Sequence, residues 1–135
     1  MIPKGLTEQV ARLKAAGVDI AILEVAGQCY VLVRFLSVNS PPWDRGKFDI
    51  LIAVPVTFEQ AGLDGFYLCQ PHKFNGGSHP RANGETIKVA DASWRQVSWH
   101  YADGHPWTPG TDSLETHVKH CHGFFSGRGA TNDYH

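Results

Sequence analysis

Phe48-Asp49-Ile50-Leu51-Ile52-Ala53-Val54-Pro55 is the stretch from which the fold is read. Phe48, Ile50 and Ile52 alternate with Asp49, Leu51 and Ala53, the period-2 pattern of a strand, and Pro55 ends it. Upstream, residues 19 to 26 and 29 to 36 are rich in Val, Ile and Leu, with Gly27-Gln28 between them. Two such runs around a two-residue glycine turn predict a hairpin. Before that hairpin, Leu6, Val10 and Leu13 fall at i, i+4 and i+7, with Gly17 as a stop, which predicts an amphipathic helix over residues 6 to 16. Downstream, Phe66-Tyr67-Leu68-Cys69 is a short fourth strand. Residues 71 to 85 hold two prolines, three glycines and two asparagines and are expected to form a loop. From Asp112, Leu114, Val118, Cys121 and Phe125 give one apolar helical face, with Asp112 and Glu115 fitting a capping pattern. The order is helix, antiparallel strands, long irregular stretch, helix: an α+β sandwich with helices against one sheet face.

Composition narrows the class. At 135 residues the chain is a single domain by size and long enough to bury a core without staples. The domain is expected over residues 1–126, with 127–135 a flexible tail. A net charge of −1 gives no argument for nucleic acid or an anionic membrane. No apolar run approaches the roughly 18 residues of a membrane span, and Met1-Ile2-Pro3-Lys4-Gly5 lacks the pattern of a signal peptide. Cys29, Cys69 and Cys121 are odd in number and far apart, which reads as reduced thiols in a cytoplasm.

Four motifs in order carry a resemblance. They are Asp49 to Pro55, Leu63-Asp64-Gly65-Phe66-Tyr67, Trp94-Arg95-Gln96-Val97-Ser98-Trp99-His100, and Trp107-Thr108-Pro109-Gly110-Thr111-Asp112-Ser113-Leu114. Together, over about residues 19 to 125, they resemble the ubiquitin-conjugating superfamily, in particular its prokaryotic family E. The resemblance implies an amino-terminal helix, a four-stranded antiparallel meander, an irregular active-site segment and a carboxy-terminal helix. It also implies a bacterial pathway in phage defence. The partners would be a ubiquitin-like protein, an ATP-using activating enzyme and a metallopeptidase. By the same resemblance, the amino-terminal helix docks the activating enzyme. Two positions depart from the pattern: Trp99 stands where an arginine is expected and Val97 where a large aromatic is expected. In a rival alignment, His79-Pro80-Arg81-Ala82-Asn83-Gly84-Glu85 resembles the His-Pro-Asn and Asn-Gly-Glu of eukaryotic conjugating enzymes, with the cysteine position near Thr86 or Ile87. Neither alignment places a cysteine at the site.

The chemistry therefore turns on what replaces a thiolate. A serine hydroxyl needs an adjacent base. Ser98 and His100, at i and i+2, share one side of an extended segment, so His100 is a candidate base and Ser98 a candidate oxyester carrier. Asp103 is the candidate orienting carboxylate for His100. Cys69 is the alternative nucleophile, although at the end of an apolar strand it also reads as a small hydrophobe. Trp94, Trp99 and Trp107 read as core or loop-anchoring aromatics. His117, His120, Cys121 and His122 suggest a metal. Zinc needs four ligands, or three plus water, and a solvated helix face is the plainer account. No cofactor is expected. Two readings stand side by side: a conjugating enzyme working through Ser98, and a catalytically inactive module that docks the ubiquitin-like protein or its activating enzyme.

Overall fold

The computed structural model describes residues 2–82, 84–101 and 106–125. The candidate Asp103 and the expected 127–135 tail lie outside the described residues. Helix α1 spans Leu6–Ala15, burying Leu6, Val10 and Leu13 as their spacing predicts. Gln9 is buried on the same face. Gly17 follows in the left-handed region, at φ 93°, a backbone conformation that glycine adopts at no steric cost.

Strands β1 (Asp19–Val25) and β2 (Gln28–Ser37) form the first hairpin. Its two turn residues are Ala26 and Gly27, one place earlier than expected, at φ 52° and 80°. Two positive φ values match the right-handed strand twist as a type I′ turn does. Strand β3 (Lys47–Val54) pairs with β2, and β4 (Phe66–Cys69) pairs with β3.

Here the expected four-stranded meander is corrected. The stretch after residue 85 is no irregular segment but a second hairpin, β5 (Thr86–Val89) and β6 (Ala92–Val97). Strand β6 pairs with β4, making one six-stranded antiparallel sheet of order β1-β2-β3-β4-β6-β5. The hairpin escapes sequence reading because its turn residues, Ala90 and Asp91, take φ 53° and 62° without a glycine to mark them. Its strands also carry Lys88, Arg95 and Gln96 in place of a clear alternation.

The added hairpin changes the burial of β3. Ile50 and Ile52 face the helices, as the alternation predicts, but Leu51 on the other face is equally buried. It packs with Val89 and Trp94 from the hairpin in a second cluster on that face of the curled sheet. Helix α2 (Leu114–Gly123) closes the first face with Leu114, Val118 and Cys121, followed by Phe124 and Phe125. Its cap is also a correction. Ser113, not Asp112, is the N-cap, and its side chain and that of Thr116 form a reciprocal capping box. Asp112 instead accepts from the Thr108 N–H at 2.8 Å. No helix among the described residues is long and apolar enough to cross a membrane.

Trp107 anchors the approach to α2. Its Nε1 donates to Glu59 O at 3.0 Å, and its ring lies against Gly62 so closely that a Cβ there would sit 2.3 Å from Trp107 Cγ. Gly62→Ala is therefore expected to lower stability by about 1–3 kcal/mol, the usual cost of overpacking. Urea unfolding should show this as a lower midpoint at unchanged slope.

Candidate functional site

The segment Val97 to Tyr101 leaves β6 and crosses toward α2. Val97 and Trp99 point into the core, while Ser98 is half-buried and His100 exposed. Trp99 is held by its Nε1, which donates to His120 O at 2.7 Å. The Trp99 N–H returns to Val97 O at 3.0 Å, an i to i−2 bond that makes a γ-turn centred on Ser98. That turn breaks the extended geometry in which residues i and i+2 share a side. Among the described residues Ser98 Oγ makes no hydrogen bond, and none joins it to His100. The Ser98 backbone is clamped instead: its N–H donates to Arg81 O at 2.8 Å, and its carbonyl accepts from Arg81 Nη1 at 3.3 Å.

His100 meets a different carboxylate. Its Nδ1 lies 2.9 Å from Asp64 Oδ1, with both side chains exposed. Asp64 lies 36 residues away in sequence, far from the near neighbours among which an orienting carboxylate is expected. The available signal was its place in the second of the four motifs. Arg81 supplies another group that sequence reasoning missed. With Trp99 standing where an arginine is expected, the Arg81 guanidinium lies over the Trp99 ring at 5.9 Å. It arrives from the neighbouring loop, within cation–π reach.

Beneath the segment, His117 is fully buried and uses both ring nitrogens. Gly65 O can only accept, so His117 Nε2–H donates to it at 2.9 Å, and Nδ1 accepts from the Tyr101 hydroxyl at 2.7 Å. Burial pushes the His117 pKa down to about 4, against a smaller opposing pull from the Gly65 carbonyl. Tyr101 also stacks on His120, with centroids 4.1 Å apart and planes 8° from parallel.

His117 is a core residue, not part of a solvated helix face, and Cys121 is buried on the apolar face of α2 as its spacing predicts. The four candidate metal ligands also diverge: His117 turns to Gly65, His120 stacks between Trp99 and Tyr101, Cys121 is buried, and His122 Nε2 reaches Ser37 O at 2.7 Å. Among the described residues no three His, Cys, Asp or Glu side chains could hold one ion.

The thiols are unprepared for nucleophilic work. Cys29 and Cys121 are buried and Cys69 is half-buried. In all three, desolvation is the first cause of a raised pKa, which lowers the thiolate fraction that reacts. Around the other side, Gln9 joins three elements. Its Oε1 accepts from the Leu114 N–H at 2.7 Å, and its Nε2 donates to Glu59 Oε2 at 2.7 Å. Helix α1, the loop after β3 and the first turn of α2 are thereby tied together.

A family model described as Prokaryotic E2 family E matches residues 6–126. The chain belongs to that family. No curated protein and no solved structure matches it. The fold of this family E protein has the expected flanking helices, on a six-stranded curled sheet in place of a simple meander. Its Trp94, Trp99 and Trp107 are the core and loop anchors that their sequence setting predicts: each indole N–H donates to a backbone carbonyl, of Val89, His120 and Glu59 respectively.

The His117 environment has a pH consequence. An unfolded histidine titrates near pH 6.5, well above the folded value of about 4. Between those values the unfolded chain binds a proton that the folded chain excludes, so stability falls as pH drops through this window. His79, also pushed down to about 4 by burial, acts in the same direction. For His117 the loss between pH 7 and pH 5 is about 2 kcal/mol. Denaturant unfolding at the two pH values should show a smaller loss in His117→Gln than in the unsubstituted protein.

Proposed function

We propose that this family E protein serves a ubiquitin-like conjugation pathway as a docking module. It binds the ubiquitin-like protein or its activating enzyme and does not itself carry the acyl group. The observation that carries this reading is the lack of a prepared acyl acceptor. Every thiol is desolvated, and Ser98, the side chain nearest to the expected nucleophile position, has no base in hydrogen-bond reach among the described residues. A weak nucleophile such as serine needs that base. The outward face of α1, with Thr7, Glu8, Arg12 and Lys14 exposed, is the docking face that the family resemblance suggests for the activating enzyme. By the same resemblance the pathway would be bacterial, in phage defence and with a metallopeptidase among its members, and the three unpaired cysteines suit a cytoplasm.

A second reading keeps Ser98 as an oxyester carrier, and one observation favours it. With Asp64 at Nδ1, His100 has Nε2 available as a base. The Ser98 hydroxyl would attack the activated carboxyl terminus of the ubiquitin-like protein. The Oγ–C bond forms as the bond to the activating enzyme breaks, and the hydroxyl proton passes to His100 Nε2.

Intact-mass spectrometry and calorimetry together separate the two. The protein is mixed with the ubiquitin-like protein, a charged activating enzyme and ATP, with and without Ser98→Ala. Docking predicts saturable binding, no gain in mass, and the same result in the variant. An adduct that resists thiol reductant, yields to alkali and vanishes in Ser98→Ala would establish the ester reading instead. An adduct cleaved by reductant would place the acyl group on a cysteine, with Cys69 the first to test. Absence of both adduct and binding would overturn both readings.

A further inference from the structure

The sheet has two edges, and they are not alike. Its order puts β1 at one end and β5 at the other. Every second residue of an edge strand turns its N–H and C=O away from the sheet, ready to pair with another strand. Proteins ordinarily blunt such an edge by keeping it short or by placing Lys, Pro or a bulge on it. Strand β5 follows that rule, with four residues and Lys88 among them. Strand β1 does not. Its seven residues, Asp19-Ile20-Ala21-Ile22-Leu23-Glu24-Val25, hold no Lys and no Pro, and they pair with β2 without a break in register. Among the described residues no strand pairs with the outer side of β1.

A notch of about 210 Å³ lies at the same edge, lined by Thr7, Val10, Ala11 and Lys14 of α1 and by Ile22 of β1. Val10 is buried there, Ile22 is half-buried, and Thr7, Ala11 and Lys14 are exposed. Ile22 packs toward the helices with Ile20. An incoming strand that carries an apolar side chain on this face would fill the notch as it paired.

The sequence of β1 supplies such a strand. A second β1, antiparallel to the first about a two-fold axis at Ile22, sets Ile22 opposite Ile22. It also sets Ala21 opposite Leu23, Ile20 opposite Glu24 and Asp19 opposite Val25. All seven residues are used, and no like charges stand opposite one another, an arrangement that would be destabilising. Side chains directly opposite share a face, so Ile22 of each copy reaches the notch of the other. On the far face, Leu23 is paired with Tyr30, and Ala21 with Leu32. The axis therefore lines up Tyr30 and Leu23 of one copy with Ala21 and Leu32 of the other. Leu23, Tyr30 and Leu32 already belong to the second apolar cluster, which thus continues from copy to copy. Charge agrees with this pairing. Lys14 makes no ion pair among the described residues. It borders the notch on the face that Glu24 shares with Ile20 and Ile22, and the axis brings Glu24 of the other copy to that side.

We propose that β1 is a dimerisation edge, through which two copies of this chain pair antiparallel over Asp19–Val25 about a two-fold axis at Ile22. The two sheets then become one. The inference goes beyond the docking role and needs no partner other than this chain. A single strand pair is a small interface beside those of stable complexes, so the dimer dissociates on dilution.

Sedimentation velocity over a dilution series of the whole chain, with amide hydrogen exchange at both ends of the series, tests this. Particles should pass from one copy to two as concentration rises. Over the same range alternate amides of β1 should gain protection, and those of β5 should not. Ala11→Lys sets a charged side chain at the notch and should weaken dimerisation at least about tenfold. Ala11 is exposed and Lys is a good helix former, so this variant should keep the unfolding midpoint of the monomer. Single copies up to about 1 mM would overturn the proposal. So would a dimer whose β1 amides exchange as fast as in the monomer, or one that Ala11→Lys leaves unchanged.

Discussion

Gly65 O is where the two halves of this protein meet. It lies just before β4 and accepts from His117 on α2, while the other ring nitrogen of His117 takes the Tyr101 hydroxyl proton. One neutral imidazole therefore joins the start of a central strand, the carboxy-terminal helix and the segment that carries Ser98 and His100. Its burial makes the arrangement exacting. A buried imidazole with an unmet nitrogen would be costly, so all three elements must come together for any one of them to be satisfied. Gly65 itself is at φ 62°, and a Cβ there would stand only 3.3 Å from Val97 O. The close approach of β4 to the end of β6 thus needs a glycine at the residue whose carbonyl His117 uses.

The chemistry of the site follows from which groups this packing exposes. Burial takes the thiols away from solvent and raises their pKa values. It leaves His100 outside, paired with Asp64. The γ-turn at Ser98 and the Arg81 clamp orient the Ser98 backbone rather than its hydroxyl. Among the described residues this family E fold holds no thiol or hydroxyl prepared as an acyl acceptor. On β6, Arg95 is half-buried and donates to the oxygens of Gly84 and Gln70.

Local pattern was legible wherever one residue period met one environment. Leu6, Val10 and Leu13 gave α1, Leu114, Val118 and Cys121 gave α2, and the alternation of Phe48, Ile50 and Ile52 gave β3. The family motifs were legible too, because Trp94, Trp99 and Trp107 are large side chains with fixed tasks. The β5–β6 hairpin was not, since its Ala90-Asp91 turn lacks glycine and its strands lack a clean alternation. Leu51 looked like the polar-side partner of its alternation until that hairpin covered it. His117 looked like a solvated or metal-binding residue because its acceptor, Gly65, is 52 positions away.

What the sequence determined by itself was the two helices and the first four strands, their order and the family to which they belong. Those depend on side-chain periods and motif spacing, which are properties of neighbouring residues. What only the tertiary structure decided was the pairing of polar groups: His100 with Asp64, His117 with Gly65 and Tyr101, and Arg95 with Gln70 and Gly84. Hydrogen bonds act over about 3 Å, and the chain brings distant residues within that range only after the sheet has curled and α2 has closed its face. The partner of a charged or titratable side chain is therefore set by the assembled fold, not by its place along the chain.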